Sequence, residues 1–433
     1  MKRFRKGPLV AICALAVTAP QAAFAQDNDI LVEPELLVDY DRSRNIAVTE
    51  KRRPDYDALG IRASSFLVYP RLDIGLGYND NIFLADSDEV SDGYAIIRPS
   101  VRAQSDWSRH QLTATASGAF RRFFDNSVRD EDSWNVGALG RVDATSALTL
   151  TAQVQAGNRF ESAFSGGVDA NVAALSNYDY NFLSLRGRYE LGRNRIALAY
   201  NRNEYDFNNI RFSDSTTLDQ SNRSRTIDSI VGQFERALNP GLSVYGQLSY
   251  ARTRYDALLA PGVENRDSDG YRAVAGVSMD LPAFIRGTLA SGYTWRNFDS
   301  PLFRQVKGLS VDAKLEYFPS ELTTFTLRGS RLIQDSNIAI TTAFFDNRIS
   351  LGVDHELLRN VILSASGDLS YQDYIGSPNN STVYRLSSRA RYLMSRKLSA
   401  DLLASYAHRN RETLVSNGNL SEMRIEATVS LRL

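Results

Sequence analysis

Cysteine and lysine are both scarce in this sequence of 433 residues. It contains one cysteine, Cys13, and only six of its 50 basic side chains are lysines, so arginine supplies nearly all the positive charge. One thiol can form neither an internal disulfide nor a cysteine-rich zinc site. Acidic side chains also number 50, and no basic block occurs, so the charge excess typical of nucleic-acid binding is missing.

Long hydrophobic runs are missing beyond the N-terminus, and the mean hydropathy is -0.30, which excludes a bundle of membrane helices. A membrane β-barrel is not excluded, because only every second residue of its strands is apolar. Residues 1–25 combine a basic head, an apolar core and the small-residue motif at Ala23–Ala25, and therefore predict a secretory signal peptide. Its removal would leave a chain without cysteine and with a net charge of about −4.

Residues 26–60 are rich in charged side chains and show no sustained period, so we expect a polar periplasmic segment there. Residues 61–433 are predicted to form one barrel, because apolar and polar residues alternate through this region. The C-terminus shows the alternation most clearly, with apolar residues at Met423, Ile425, Ala427, Val429, Leu431 and Leu433.

The alternating runs are about 10 to 13 residues long, which is the length of a transmembrane β-strand. Eight short connections alternate with nine longer polar ones, and this arrangement predicts 18 antiparallel strands in an up-and-down order. Short periplasmic turns and long extracellular loops are expected. A large soluble β-solenoid or propeller is the alternative, but the sequence has no repeated motif of the kind that recurs from blade to blade in a propeller.

The opening of the predicted barrel resembles a known family. The stretches that carry the resemblance are RPDYDALGIR at 53–62, FLVYP at 66–70, GYNDNIF at 77–83 and PSVRAQSDWSRH at 99–110. They are similar to the putative β-barrel porin 2 family of Gram-negative outer-membrane proteins. That resemblance implies an outer-membrane barrel associated with exopolysaccharide biosynthesis and export. The chain ends on Leu433 rather than on the aromatic residue that is common in such barrels.

Alternation also predicts which charged side chains line the interior. The candidates are Arg98, Arg102, Arg121, Arg141, Arg159, Arg186, Arg188, Arg272, Arg328, Arg389, Arg391, Asp73, Asp312, Glu316 and Asp368. Guanidinium groups in a lumen could bind carboxylate, sulfate or sugar hydroxyl groups. The alternative is that the arginines and acids pair with one another and stiffen the wall.

Many aromatic residues fall near the ends of the predicted strands, as in the aromatic girdles of outer-membrane barrels. They are Tyr78, Tyr94, Phe120, Trp134, Tyr189, Tyr200, Tyr250, Tyr293, Trp295, Tyr317, Tyr371, Tyr392 and Tyr406. Any that point inward would instead be platforms for stacking sugar rings.

Signals for catalysis are poor. The three histidines are far apart in the sequence and belong to no metal or nucleophile motif. We therefore expect no enzyme, no catalytic residue, no metal site and no cofactor.

The leading hypothesis is a channel that takes part in exporting an exopolysaccharide or another surface polysaccharide. One alternative is a general or solute-specific diffusion porin. Another is a structural component of a surface-polymer machine, plugged by residues 26–60 or by the loops 160–176 and 207–224. The expected partners are outer-membrane lipid, lipopolysaccharide, the polysaccharide and periplasmic export components, and no nucleic acid.

Overall fold

A computed structural model of the chain describes residues 45–162, 164, 176–211, 217–282, 284–336, 341–376, 380–411 and 419–433. The predicted signal peptide and the first part of the segment 26–60 lie outside the described residues. Within the described ranges, no helix is long and apolar enough to cross a membrane.

The alternating runs form long antiparallel strands, the shortest of 13 residues and the longest of 16. In chain order these are β1 (Phe66–Asn79), β2 (Asp92–Ser105), β3 (Gln111–Phe123), β4 (Glu131–Asp143), β5 (Leu148–Phe160), β6 (Asn177–Leu191), β7 (Asn194–Phe207), β8 (Arg225–Asn239), β9 (Leu242–Tyr255), β10 (Ser268–Leu281), β11 (Ile285–Phe298), β12 (Val306–Ser320), β13 (Thr323–Asp335), β14 (Ala343–Leu358), β15 (Val361–Tyr374), β16 (Ser381–Leu393), β17 (Leu398–Arg411) and β18 (Leu420–Arg432).

Each of these strands pairs with its neighbours in sequence, and β1 also pairs with β18, so the sheet closes on itself. We call the β1–β18 pairing the closing seam. The predicted fold class, a single closed antiparallel barrel of 18 strands, is confirmed. A three-residue strand, Ile61–Ala63, precedes β1 and pairs with its first residues.

Connections at one end of the barrel are short, and those at the other end are longer. We call these the short-turn end and the long-loop end. The predicted alternation is correct, but two predicted turns come slightly early. Strand β12 continues through Pro319 to Ser320, and β14 continues to Leu358. Both strands have a register shift at this point, and in β12 the bulge accommodates a proline, which cannot donate to the ladder.

The two faces of the wall differ as the alternation requires. The outer face carries exposed apolar side chains such as Leu248, Leu289 and Leu351, which are 46 to 68% exposed. The predicted girdle residues lie on this face with one exception. Tyr94 is 1% exposed on the interior face, where its hydroxyl donates to Glu426 at 3.2 Å, so its assignment to the girdle is wrong. Tyr94 shares the alternation of Arg98 and Arg102 on β2, so alternation indicates the interior face correctly and the position near the strand end does not.

Candidate functional site

The interior wall of the barrel is the candidate site, and its polar side chains come from every second residue of the strands. All fifteen charged residues predicted to line the interior lie on this face. Their position follows from strand alternation, because a change of one residue in register would turn them all outward. Their role in conduction stays a prediction.

Many of these residues pair with one another. Arg98 donates to Glu426 at 2.6 Å, and Arg391 donates to Asp401 at 2.8 Å. Arg141 forms two bonds with Asp143, at 3.0 and 3.2 Å. Such pairs leave the wall hydrophilic while they neutralise much of its charge. Mutual pairing therefore accounts for part of the predicted set.

Further predicted residues have partners other than a single acid. Arg272 donates to Ser310 at 2.8 Å and lies 3.7 Å from Asp312. Arg159 donates to the hydroxyl of Tyr180 at 2.8 Å and stacks on its ring at 4.3 Å.

Six further predicted members are held by similar local contacts. They include the pairs Arg121 with Glu131, Arg188 with Glu190, Arg71 with Asp73, Arg286 with Glu316, Arg102 with Gln104 and Ser350 with Asp368.

Small hydroxyl side chains cover the middle of the wall from β14 to β17. Ser366 and Ser387 bond to each other at 2.8 Å on neighbouring strands, and Ser405 follows in the same row. Ser364 donates to Asp354 at 2.5 Å. Serine leaves space in front of the wall and can both donate and accept hydrogen bonds. This part of the interior therefore suits a hydroxyl-rich ligand.

The N-terminal residues 45–57 cover part of the interior at the short-turn end. The side-chain amide of Asn45 donates to Asp280 on β10 at 2.6 Å, and the backbone carbonyl of Asn45 accepts from Arg286 on β11 at 2.9 Å. Arg286 is only 2% exposed and also donates to Glu50 at 2.7 Å. The segment therefore begins its contacts on a strand that lies opposite β1 in the barrel.

The same segment then follows the rim towards the closing seam. Val48 is fully buried and packs on Ile362 of β15 and Leu393 of β16. Arg53 donates to Glu356 of β14 at 2.9 Å, and the carbonyl of Pro54 accepts from the turn after β16. These contacts narrow one side of the short-turn mouth and leave the wall from β2 to β9 uncovered by the described residues of the segment.

At the long-loop end, side chains bridge distant parts of the wall. Asp335, the last residue of β13, binds Arg225 of β8 at 3.2 Å and Arg296 of β11 at 2.5 Å. Five strand spacings separate β8 from β13, which is about 24 Å along the wall. A direct ion pair over that separation requires the side chains to reach across the interior.

A second bridge begins just after β5. Phe164 is fully buried and packs on Val383, Ala407 and Leu420, which belong to β16, β17 and β18. Aromatic and arginine side chains stack elsewhere at this end, with Arg223 4.1 Å from the ring centre of Phe207. The long-loop end is therefore narrowed by packed side chains.

The plugged alternative named the segment 26–60 and the loop 160–176, which contain Val48 and Phe164, but the sequence did not indicate the contacts that these residues make. Alternation alone would have placed Arg286, Arg296 and Arg225 on the interior face, since each of them falls at an interior position in the alternating pattern of its own strand. The segment that contains Asn45 and Val48 has no period, so the sequence does not indicate which wall residues they contact. The arginines at the long-loop end are far along the chain from the carboxylate that they share, so no local pattern reveals their pairing.

A comparison with protein families identifies the family of the chain. The model of a family described as Putative beta-barrel porin 2 matches residues 53–433. A comparison with curated proteins gives no match.

Among solved structures, Acinetobacter baumannii OccAB4 is similar with a TM-score of 0.46 and 8% identity, over 86% of this chain and 99% of that one. Pseudomonas aeruginosa OpdL gives 0.44 and 11% over 86% and 100% of the chains. Pseudomonas aeruginosa OpdK, solved with vanillate, gives 0.45 and 10% over 84% and 99%.

Proposed function

This chain belongs to the putative β-barrel porin 2 family of outer-membrane barrels, and from that premise we propose that it forms a channel through which a surface polysaccharide leaves the cell. The observation that carries the proposal is the polar interior wall, which continues from the short-turn end to the long-loop end. Short turns face the periplasm in outer-membrane barrels, so transport would run from the short-turn mouth outward.

The chemistry of the wall supports a mobile hydrophilic chain as the cargo. Serine hydroxyls such as those of Ser366 and Ser387 can exchange hydrogen bonds with sugar hydroxyls, and arginines already paired with acids attract them only moderately. Conduction requires many weak sites rather than one tight site. A wall of this kind allows a polymer to advance without being held.

The narrowed ends favour a regulated exporter over a general diffusion porin. Phe164 packs on strands β16 to β18 at the long-loop end, and Val48 packs on β15 and β16 at the other end. A permanently open pore through a barrel of 18 strands would admit small solutes freely. The same contacts also support the second candidate, a plugged structural component of a surface-polymer machine.

Two measurements separate these functions. The full-length protein is inserted into planar bilayers, and the gene is deleted in a strain that makes the polymer. Export predicts retention of the polymer in the deletion strain, together with a channel of low resting conductance. Large open channels with unchanged export would favour the diffusion porin, and no channel under any condition would favour the plugged component.

Location and processing give further proposals. We propose that residues 1–25 are removed as a signal peptide and that lipopolysaccharide surrounds the extracellular half of the barrel. The exposed apolar outer face supports membrane insertion. N-terminal sequencing of protein purified from outer membranes should begin at Gln26. A sequence that begins at Met1 would contradict the assignment.

A further inference from the structure

Four interior arginines lie close together where the barrel closes. Arg71 on β1 and Arg432 on β18 are directly opposite each other in the register of the closing seam. Arg389 and Arg391 lie on β16, two strands away from β18. Arg432 is within electrostatic range of Arg71 and Arg391, and Arg389 is within range of Arg71 and Arg391. We call this set the seam arginine cluster.

Like charges placed opposite each other on paired strands are unfavourable, so this register needs compensation. Asp73 accepts from Arg71 at 2.7 Å, and Asp401 accepts from Arg391 at 2.8 Å. Asp57 of the N-terminal segment lies within electrostatic range of Arg432, and Asp354 of β14 lies within range of Arg389. The short turn after β16 adds two further cations, Arg396 and Lys397, at the same end. The balance of charge at the seam remains positive.

The cluster is also accessible from the lumen. The side chains of Arg71 and Arg391 are 26% and 29% exposed, whereas that of Arg286, which holds the N-terminal segment, is 2% exposed. Arg389 and Arg432 are likewise only half-buried. A guanidinium that reaches water can exchange solvent for a ligand, and its planar fork matches a carboxylate with two parallel hydrogen bonds.

We propose that the seam arginine cluster binds carboxylate groups of an acidic polysaccharide as the chain enters from the periplasmic side. The inference rests on the proposed export function for the identity of the ligand, but the binding can be measured whether or not the channel conducts. It makes the cargo an acidic polymer, such as one that contains uronic acids, and it places the first contact at the closing seam.

Calorimetric titration of the full-length protein in neutral detergent micelles with an oligogalacturonate tests the proposal. The double variant Arg71→Gln/Arg432→Gln should bind at least about tenfold more weakly, because it removes two guanidinium groups whose charged hydrogen bonds to a carboxylate are stronger than neutral ones. The matched control is Arg109→Gln/Arg193→Gln, which removes two exposed cations from the short turns after β2 and β6. The affinity of this control should change less than about twofold, because neither residue belongs to the seam.

Two further arms assign the chemistry. The variant Arg71→Lys/Arg432→Lys keeps the charge and the fold but removes the planar guanidinium fork. We expect its loss of affinity for the oligogalacturonate to be smaller than that of the glutamine variant. A neutral dextran oligomer should not compete with the oligogalacturonate. Free galacturonate should bind more weakly than the oligomer, since it makes contact at one point only.

Several results would overturn the proposal. An equal loss in the seam and control variants would mean a diffuse field rather than a site. If the seam variants bind the oligogalacturonate as tightly as the unaltered protein, the cluster is not the binding site. Equal affinity for free galacturonate and for the oligomer would exclude a polymer site. Normal export by a strain that lacks the gene would refute the export function but leave measured carboxylate binding intact, so the two failures are distinguishable.

Discussion

Replacement of Val154 by arginine should destabilise the barrel strongly, because this side chain faces the middle of the lipid. Two neighbouring aromatic residues on the outer face mark the depth of β5. Leu148 pairs with Tyr189 of β6, and Asn158 pairs with Trp134 of β4, so the strand crosses the apolar band between these levels.

The magnitude follows from that geometry. A strand that rises about 3.4 Å per residue and tilts about 40° climbs roughly 2.6 Å per residue, so ten steps span about 26 Å. The apolar band of such barrels is about 25 Å tall. Val154 then lies about 3 Å from the midplane and is 49% exposed, while Leu150 lies about 8 Å from it and is 45% exposed.

Arginine on the lipid face costs about 2–4 kcal/mol at the midplane and about 0–1 kcal/mol near the interface. We therefore expect the free energy of unfolding to fall by about 2–4 kcal/mol in Val154→Arg and by roughly 1–2 kcal/mol in Leu150→Arg. Gln153→Arg, on the interior face between them, should change the free energy of unfolding by less than about 0.5 kcal/mol.

Reversible guanidinium unfolding of the barrel in lipid vesicles, followed by tryptophan fluorescence, measures all three variants. Equal losses for Val154→Arg and Gln153→Arg would refute the assignment of the two faces. A larger loss for Leu150→Arg than for Val154→Arg would refute the placement of the bilayer.

Three other perturbations address the ends of the barrel and its backbone. Asp335→Asn leaves Arg225 and Arg296 buried without their carboxylate, so the free energy of unfolding should fall by about 3–5 kcal/mol. The conductance of the channel in planar bilayers should rise at the same time. Unchanged conductance would mean that this bridge does not narrow the pore. Val48→Asp places a charge in a fully buried position, so limited proteolysis should cut residues 45–60 faster while the barrel persists, and an unaltered digestion pattern would contradict the docking. Gly287→Ala should lower the free energy of unfolding by about 1–3 kcal/mol. The φ of Gly287 is 141°, which suits glycine, and a Cβ there would meet a backbone carbonyl of the next strand. An unchanged midpoint of chemical denaturation would show that the backbone can relax there.

Alternation predicted the strands and both faces because it records a local rule, the opposite orientation of successive side chains. The girdle assignment of Tyr94 is wrong because it relied on position near a strand end, whereas alternation with Arg98 on the same strand places the side chain inside. The turn after β12 is predicted too early, because Pro319 is a strong turn signal that a bulge here absorbs into the strand.

The contacts that narrow the two ends could not be read from the sequence for a different reason. The segment around Val48 follows no period, and its partners on β15 and β16 lie in the last part of the chain. The pairing of Arg71 with Arg432 depends on which residues meet when the first and last strands join. Local patterns specify a strand, whereas these contacts depend on the closed ring.

The route of the N-terminal segment has a consequence for how the barrel forms. Closing the ring requires β1 to find β18, at the far end of the chain, and bringing such distant residues together is slow. Residues 45–57 lie shortly before β1, separated from it by the short strand Ile61–Ala63, yet they bind side chains of β10, β11 and β14. Once the C-terminal half of the sheet exists, this segment tethers the first strand close to the last one. The contacts that narrow the mouth of the finished barrel thus also shorten the search that closes it.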